Sequence, residues 1–295
     1  MILSLRFADA YTAGENERAD AMRVHWKKYY DDPSLFEKRL NQLEFAPLRE
    51  LIQDGVRYAQ SWLPPEWKIP GFYFPVIPHG GSPAFSIDDA QGYDFFQLPE
   101  DAAGRIDIRR LVGTIAHESH HLGMQAAAPD SLTPAEMIAF RVVSLAVAEG
   151  VATKFVSGAP AGCVPLLAEV PFQTMTPELT KSWNAHVANE AELVKHQAVL
   201  LERALSGDLT EEAFHADLRD YWLSGAIGRA YVLGAEMFGA IHLAFGREKV
   251  FEAMKDPRRL FALYNEALDA KPRALARCLR VPERAVTQAL AIGRR

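Results

Sequence analysis

Residues 117–121 read His-Glu-Ser-His-His, and their types and spacing could do metal chemistry. On a helix, His117 and His121 lie one turn apart on the same face, where two imidazoles can grip a single ion. Glu118 follows the first histidine directly, where a carboxylate can serve as general base toward a water that the metal activates. A catalytic zinc site usually takes three protein ligands and keeps one position open. The best third candidate is Glu149, set among small and apolar neighbours in Ser144-Leu-Ala-Val-Ala-Glu-Gly-Val-Ala152. A carboxylate on so apolar a helix needs a cation, an arginine such as Arg141 or Arg229, or a proton. Gly150 beside it would let another helix approach closely. Glu136 competes for the ligand role, but it stands near a helix start, where acids often serve the dipole.

These residues need particular elements to position them. Asp107 is placed to cap a helix that Gly123 ends. Ile108, Leu111, Val112, Ile115 and Leu122 form its apolar side, and His117 and His121 fall roughly opposite. They would form the floor of a cleft closed by another lobe. Gly113, one turn before His117, leaves room on the histidine face. His120 projects about 100° away from His121 around the axis, which makes it a residue behind the ligands or at the surface. A second helix is expected from Pro134 to about Phe155, far enough along for Glu149 to return antiparallel to the histidines. Earlier, residues 32–62 read as helical with a break at Pro47. Residues 69–98 read as a small antiparallel sheet, with strands at Gly71–Ile77, Ala84–Ile87 and Tyr93–Leu98. From Pro177 onward the pattern is helical, with interruptions near Gly207 and Pro257.

The pattern His117-Glu118-x-x-His121, followed by Ala148-Glu149-Gly150-x-Ala152, resembles the gluzincin group of zinc metallopeptidases. It is also similar to bacterial families of zinc-dependent peptidases. Those families tend to carry later motifs that resemble Tyr231-Val-Leu-Gly-Ala-Glu-Met237, Phe245-Gly246, Asp256-Pro257 and Phe261-Ala-Leu-Tyr264. The resemblance runs in outline from Phe72 to Tyr264. It implies one Zn²⁺ on His117, His121 and Glu149, with Glu118 as general base and Tyr231 as a candidate donor to the developing oxyanion; Arg229 is an alternative donor. It also implies a peptide or protein substrate, laid extended along a strand edge at Ala84–Ile87 or Tyr93–Leu98. The expected fold is α+β and predominantly helical: a single zincin-like domain over residues 1–295. One lobe spans residues 1–130 and carries the sheet and the His-Glu-x-x-His helix, and a helical lobe spans residues 131–295. Many gluzincins carry an aspartate four residues after the glutamate ligand; this chain has Thr153 there.

Composition fits such an enzyme. The chain has 295 residues, 49% of them hydrophobic, enough for a sizeable core. A net charge of −6 offers no concentrated basic face for nucleic acid, and no stretch is apolar and long enough to span a membrane. The basic run from Lys271 to Arg295 reads as a solvated helix face. Cys163 and Cys278 stand far apart in sequence and suggest neither a disulfide framework nor a thiolate zinc site. A reducing cytoplasm is then the default compartment.

Two other functional classes fit parts of the pattern. Glu118-x-x-His121 and Glu212-x-x-His215, with Glu149 and Glu44 or Glu50, imitate the ligand order of a di-iron carboxylate bundle. A helical interaction protein with structural zinc or none is the non-enzyme reading, although it leaves Glu118 without a task. His79, His186, His196, His215 and His242 are expected to be structural or solvated.

Overall fold

A computed structural model describes residue 27 and residues 31–44, 47–71, 76–77, 84–87, 90–167 and 170–294. These form two compact units. The first draws on the described residues within Met1–Ser61, Lys68–Gly123 and Phe172–Thr174; the second comprises Trp62–Trp67, Met124–Pro171 and Met175–Arg295.

In the first unit, helices α1 (Pro33–Glu44) and α2 (Leu48–Gln60) are separated at Pro47, as proline's missing N–H requires. A short mixed sheet follows, made of β1 (Val76–Ile77), β2 (Ala84–Ile87) and β3 (Ala90–Asp94) in the order β1-β3-β2. β2 pairs antiparallel with β3, with Ser86 opposite Gln91 and Ala84 opposite Tyr93. β1 pairs with β3 in parallel, Val76 opposite Tyr93. The expectation of a purely antiparallel sheet is therefore corrected. β3 is central, so the strands on its two sides need not share a direction. The last strand also begins and ends earlier than Tyr93–Leu98, because Phe95–Gln97 turns into a 3₁₀ helix. That turn drives Phe95 into the core, where its ring lies 4.8 Å from Phe36.

Helix α3 (Ile108–Gly123) is the next long element. Arg110 N donates to Asp107 Oδ1 at 3.1 Å, which makes Asp107 the expected cap. Leu111, Val112 and Ile115 join Ile52, Tyr93, Phe95, Leu98, Ile106 and Phe172 in one buried cluster. Helices α2 and α3 approach closely at Gly55, where an added Cβ would lie 2.9 Å from Val112.

The second unit is helical. Its long elements are α4 (Pro134–Val151), α5 (Pro177–Ala188), α6 (Glu190–Ser206), α7 (Glu211–Asp217), α8 (Arg229–Phe245), α9 (Arg247–Lys255), α10 (Leu260–Ala270) and α11 (Glu283–Ala291). Thr133 and Glu136 form a reciprocal capping box at the start of α4. Most of α8 is buried, including Val232, Leu233, Met237 and Phe238, and it packs on α4 and α10. The crossing with α4 depends on glycine: a Cβ on Gly234 would stand 2.1 Å from the Ala146 carbonyl oxygen, and one on Gly150 would stand 2.5 Å from Gly234. At its end α4 widens into a π-helical turn, Ala152–Val156.

Cys163 and Cys278 form a disulfide, with Cα atoms 4.9 Å apart. This overturns the reading of two unrelated thiols. They are 115 residues apart in sequence, but the chain returns to the same place, and separation along a chain says nothing of distance in a fold. The argument from unpaired cysteines to a reducing compartment falls with it. Among the described residues, no helix is long and apolar enough to cross a membrane.

Candidate metal centre

The helix α3 sets the geometry of the His-Glu-x-x-His segment by itself. With Leu111, Val112, Ile115 and Ala116 buried, His117 and His121 emerge on a half-buried face. Their Nε2 atoms lie 3.0 Å apart and their rings stand nearly perpendicular, at 78°. Two imidazole nitrogens converging so closely fit a shared ion, since zinc sits about 2.0–2.1 Å from each nitrogen it binds. Glu118, between them in sequence, is also half-buried. Its charge reaches Tyr93: burial pushes the Tyr93 hydroxyl well above its ordinary pKa, and Glu118 adds to the shift.

The buried side of α3 is wider than its apolar pattern implies. Ser119 and His120 are both fully buried. The surface option for His120 is thus corrected; its ring lies 6.4 Å from that of His121. Gly113 does leave space, but backbone fills it: an added Cβ would meet the Phe172 carbonyl oxygen at 2.6 Å.

Behind the helix lies a polar chain that the sequence did not announce. Tyr93 Oη donates to Gln91 Oε1, Gln91 Nε2 donates to Ser119 Oγ at 2.8 Å, and Ser119 Oγ donates to the Ile115 carbonyl at 2.7 Å. Gln91 and Tyr93 lie two apart on β3, so they share a face. A lone glutamine in a short strand carries no signal that would single it out.

Glu149 belongs to the second unit. It is partly buried near the end of α4, next to the close crossing at Gly150 and Gly234. The close packing expected of Gly150 is present. Tyr231 lies one turn before Gly234 on α8 and packs, partly buried, beside Trp183, Ile227 and Val232. Thr153, four residues after Glu149, is buried in the π-helical turn.

The other candidates have local tasks. Arg141 pairs with Glu211. Arg229 donates to the Tyr221 carbonyl at 2.6 Å and lies over the Tyr221 ring. Glu136 caps α4 and accepts from Gly293 N. Glu212 and His215, the second half of the di-iron pattern, are both exposed, and His215 faces Glu211. His186 meets the Ile227 carbonyl at 3.1 Å, and burial and then Arg229 lower its pKa. His196 contacts Asp217 at 2.9 Å. His242 packs beside Trp62 and Phe155, with a pKa lowered by burial and by Arg247. His79 lies outside the described residues.

Residues 2–272 match a family described as "Putative zinc dependent peptidase (DUF5700)". The chain belongs to that family. Its description agrees with the resemblance to zinc-dependent peptidases, and it supports a zinc-dependent hydrolase acting on peptides or proteins. No curated protein and no solved structure matches the chain.

Proposed function

We propose that this protein is a gluzincin-like metallopeptidase in which His117, His121 and Glu149 hold one Zn²⁺. The observation that carries the reading is the convergence of the His117 and His121 nitrogens on the helix that also carries Glu118, in a chain whose family is described as zinc-dependent. Glu149 would add a carboxylate to the two imidazoles, a donor set that suits a zinc site with three protein ligands and one open position.

Bound zinc supplies a Lewis acid for the scissile carbonyl and an acidified water. Glu118 takes a proton from the attacking water and passes it to the departing amine nitrogen. The Tyr231 hydroxyl donates to the carbonyl oxygen as that oxygen gains negative charge. The substrate lies extended against β2, which is an outer strand in the order β1-β3-β2.

Metal analysis and a peptide-library assay test the reading together. The native protein should carry one zinc, lost in His121→Ala and Glu149→Ala and kept in Glu118→Gln. The native protein should cleave peptides and Glu118→Gln should not. Zinc fully retained in Glu149→Ala would remove the third ligand, and cleavage by Glu118→Gln at the native rate would remove the base.

A further inference from the structure

Apolar packing alone leaves a helix some freedom to slide and turn against a sheet, because hydrophobic contact has no direction. The Tyr93-Gln91-Ser119-Ile115 chain does have one. The Ile115 carbonyl can only accept, so the Ser119 hydroxyl must donate to it and can only accept from Gln91. That fixes the Gln91 amide with its nitrogen toward α3 and its oxygen toward the Tyr93 hydroxyl. Gln91, Tyr93 and Ser119 are each 0–1% exposed. A shift of α3 along β3 would leave a buried amide unpaired, which the fold resists.

The bridge lands beside the chemistry. Ser119 immediately follows Glu118 and lies between His117 and His121 in sequence. On the sheet side, Gln91 stands opposite Ser86 of β2, the strand against which the substrate is proposed to lie. We propose that Gln91 is a positioning residue. Through Ser119 it locks the register of α3 against the sheet, and so sets the distance from Glu118 to a peptide bound along β2. This rests on the metallopeptidase reading above for its role in the reaction; the same bridge steadies the helix turn that carries His117 and His121, and that effect does not require cleavage.

Gln91→Met keeps the length of the side chain and removes both polar atoms. A base displaced by about 1 Å can cost on the order of 100-fold in rate. The expected result is a kcat lower by about 10- to 100-fold, a KM within about two-fold of the native value, and full zinc occupancy. Ser119→Ala should show the same split, and Ser119→Thr, which restores a hydroxyl, should recover most of the rate. Zinc affinity, measured by competition with a chelator, should fall about 10-fold in Gln91→Met and recover in Ser119→Thr relative to Ser119→Ala.

A folded Gln91→Met with native kcat and native zinc affinity overturns the proposal, even if it melts earlier, because that outcome describes a residue that only stabilises. A change confined to KM overturns it as well. If Gln91→Met does not fold, the comparison of Ser119→Ala with Ser119→Thr decides. If the native protein cleaves no peptide, the reading of function fails by itself, and the zinc affinities still accept or reject the bridge.

Discussion

Two buried polar clusters, one in each unit, are built in opposite ways. In the first, the polar chain behind α3 is neutral, running from a tyrosine through an amide and a hydroxyl to a backbone carbonyl. In the second, it is ionic. Lys154, on the π-helical turn after α4, meets Glu236 of α8 at 3.2 Å, with both side chains 2% exposed. Glu236 also accepts from Val164 N at 2.7 Å, and Gly162 lies so close that a Cβ there would touch its carboxylate. Nearby, the Glu190 carboxyl is pushed up to about 7, chiefly by burial; a backbone N–H at Leu279 opposes this and Glu236 adds to it. A neutral chain fixes direction at modest cost and ignores pH. An ionic cluster is costly to break and answers to protons.

Breaking the ionic side should give the largest effect. Lys154→Met leaves the buried Glu236 carboxylate without its cation, and urea unfolding should show a loss of about 3–5 kcal/mol. The double variant Lys154→Met/Glu236→Leu should recover most of it. Equal losses in the single and double variants would mean that packing matters there more than charge.

Reduction of Cys163–Cys278 comes next, with a loss of about 2–4 kcal/mol. Amide exchange should locate that loss in the second unit, because both cysteines belong to it. Equal deprotection of α3 would erase the contrast between the units.

A smaller effect separates the two chemistries by pH. Folding raises the Glu190 pKa above its unfolded value, so its contribution to stability is full below about pH 4.5 and is lost as pH rises through about 7. The native protein should lose more stability over that window than Glu190→Gln. Identical slopes would show that Glu190 ionises as freely in the fold as out of it.

The smallest effect belongs to the neutral chain. Ser119→Ala should cost about 1–3 kcal/mol, and the loss should be the same at pH 5 and pH 8.

What the sequence revealed follows the same division between near and far. His117 and His121 were readable because their relation is one turn of helix, and Asp107, Gly123, Pro47 and Gly207 because caps and breaks act over a few residues. Gly150 declared a close crossing without naming Gly234 as its counterpart. The disulfide, the Gln91 bridge and the parallel β1–β3 pair stayed hidden, since each joins segments whose meeting depends on the path of the whole chain. The surface option for His120 arose because a histidine on a helix reads as polar, whereas its burial is decided by what packs against it.

The disulfide has a practical side. It ties residue 163 to residue 278, so a cut anywhere between them leaves both pieces joined. A preparation clipped in that region, by its own activity or another's, would run as one intact band on a denaturing gel without reductant. With reductant the same sample would resolve into fragments, and only that lane reports whether the polypeptide is whole.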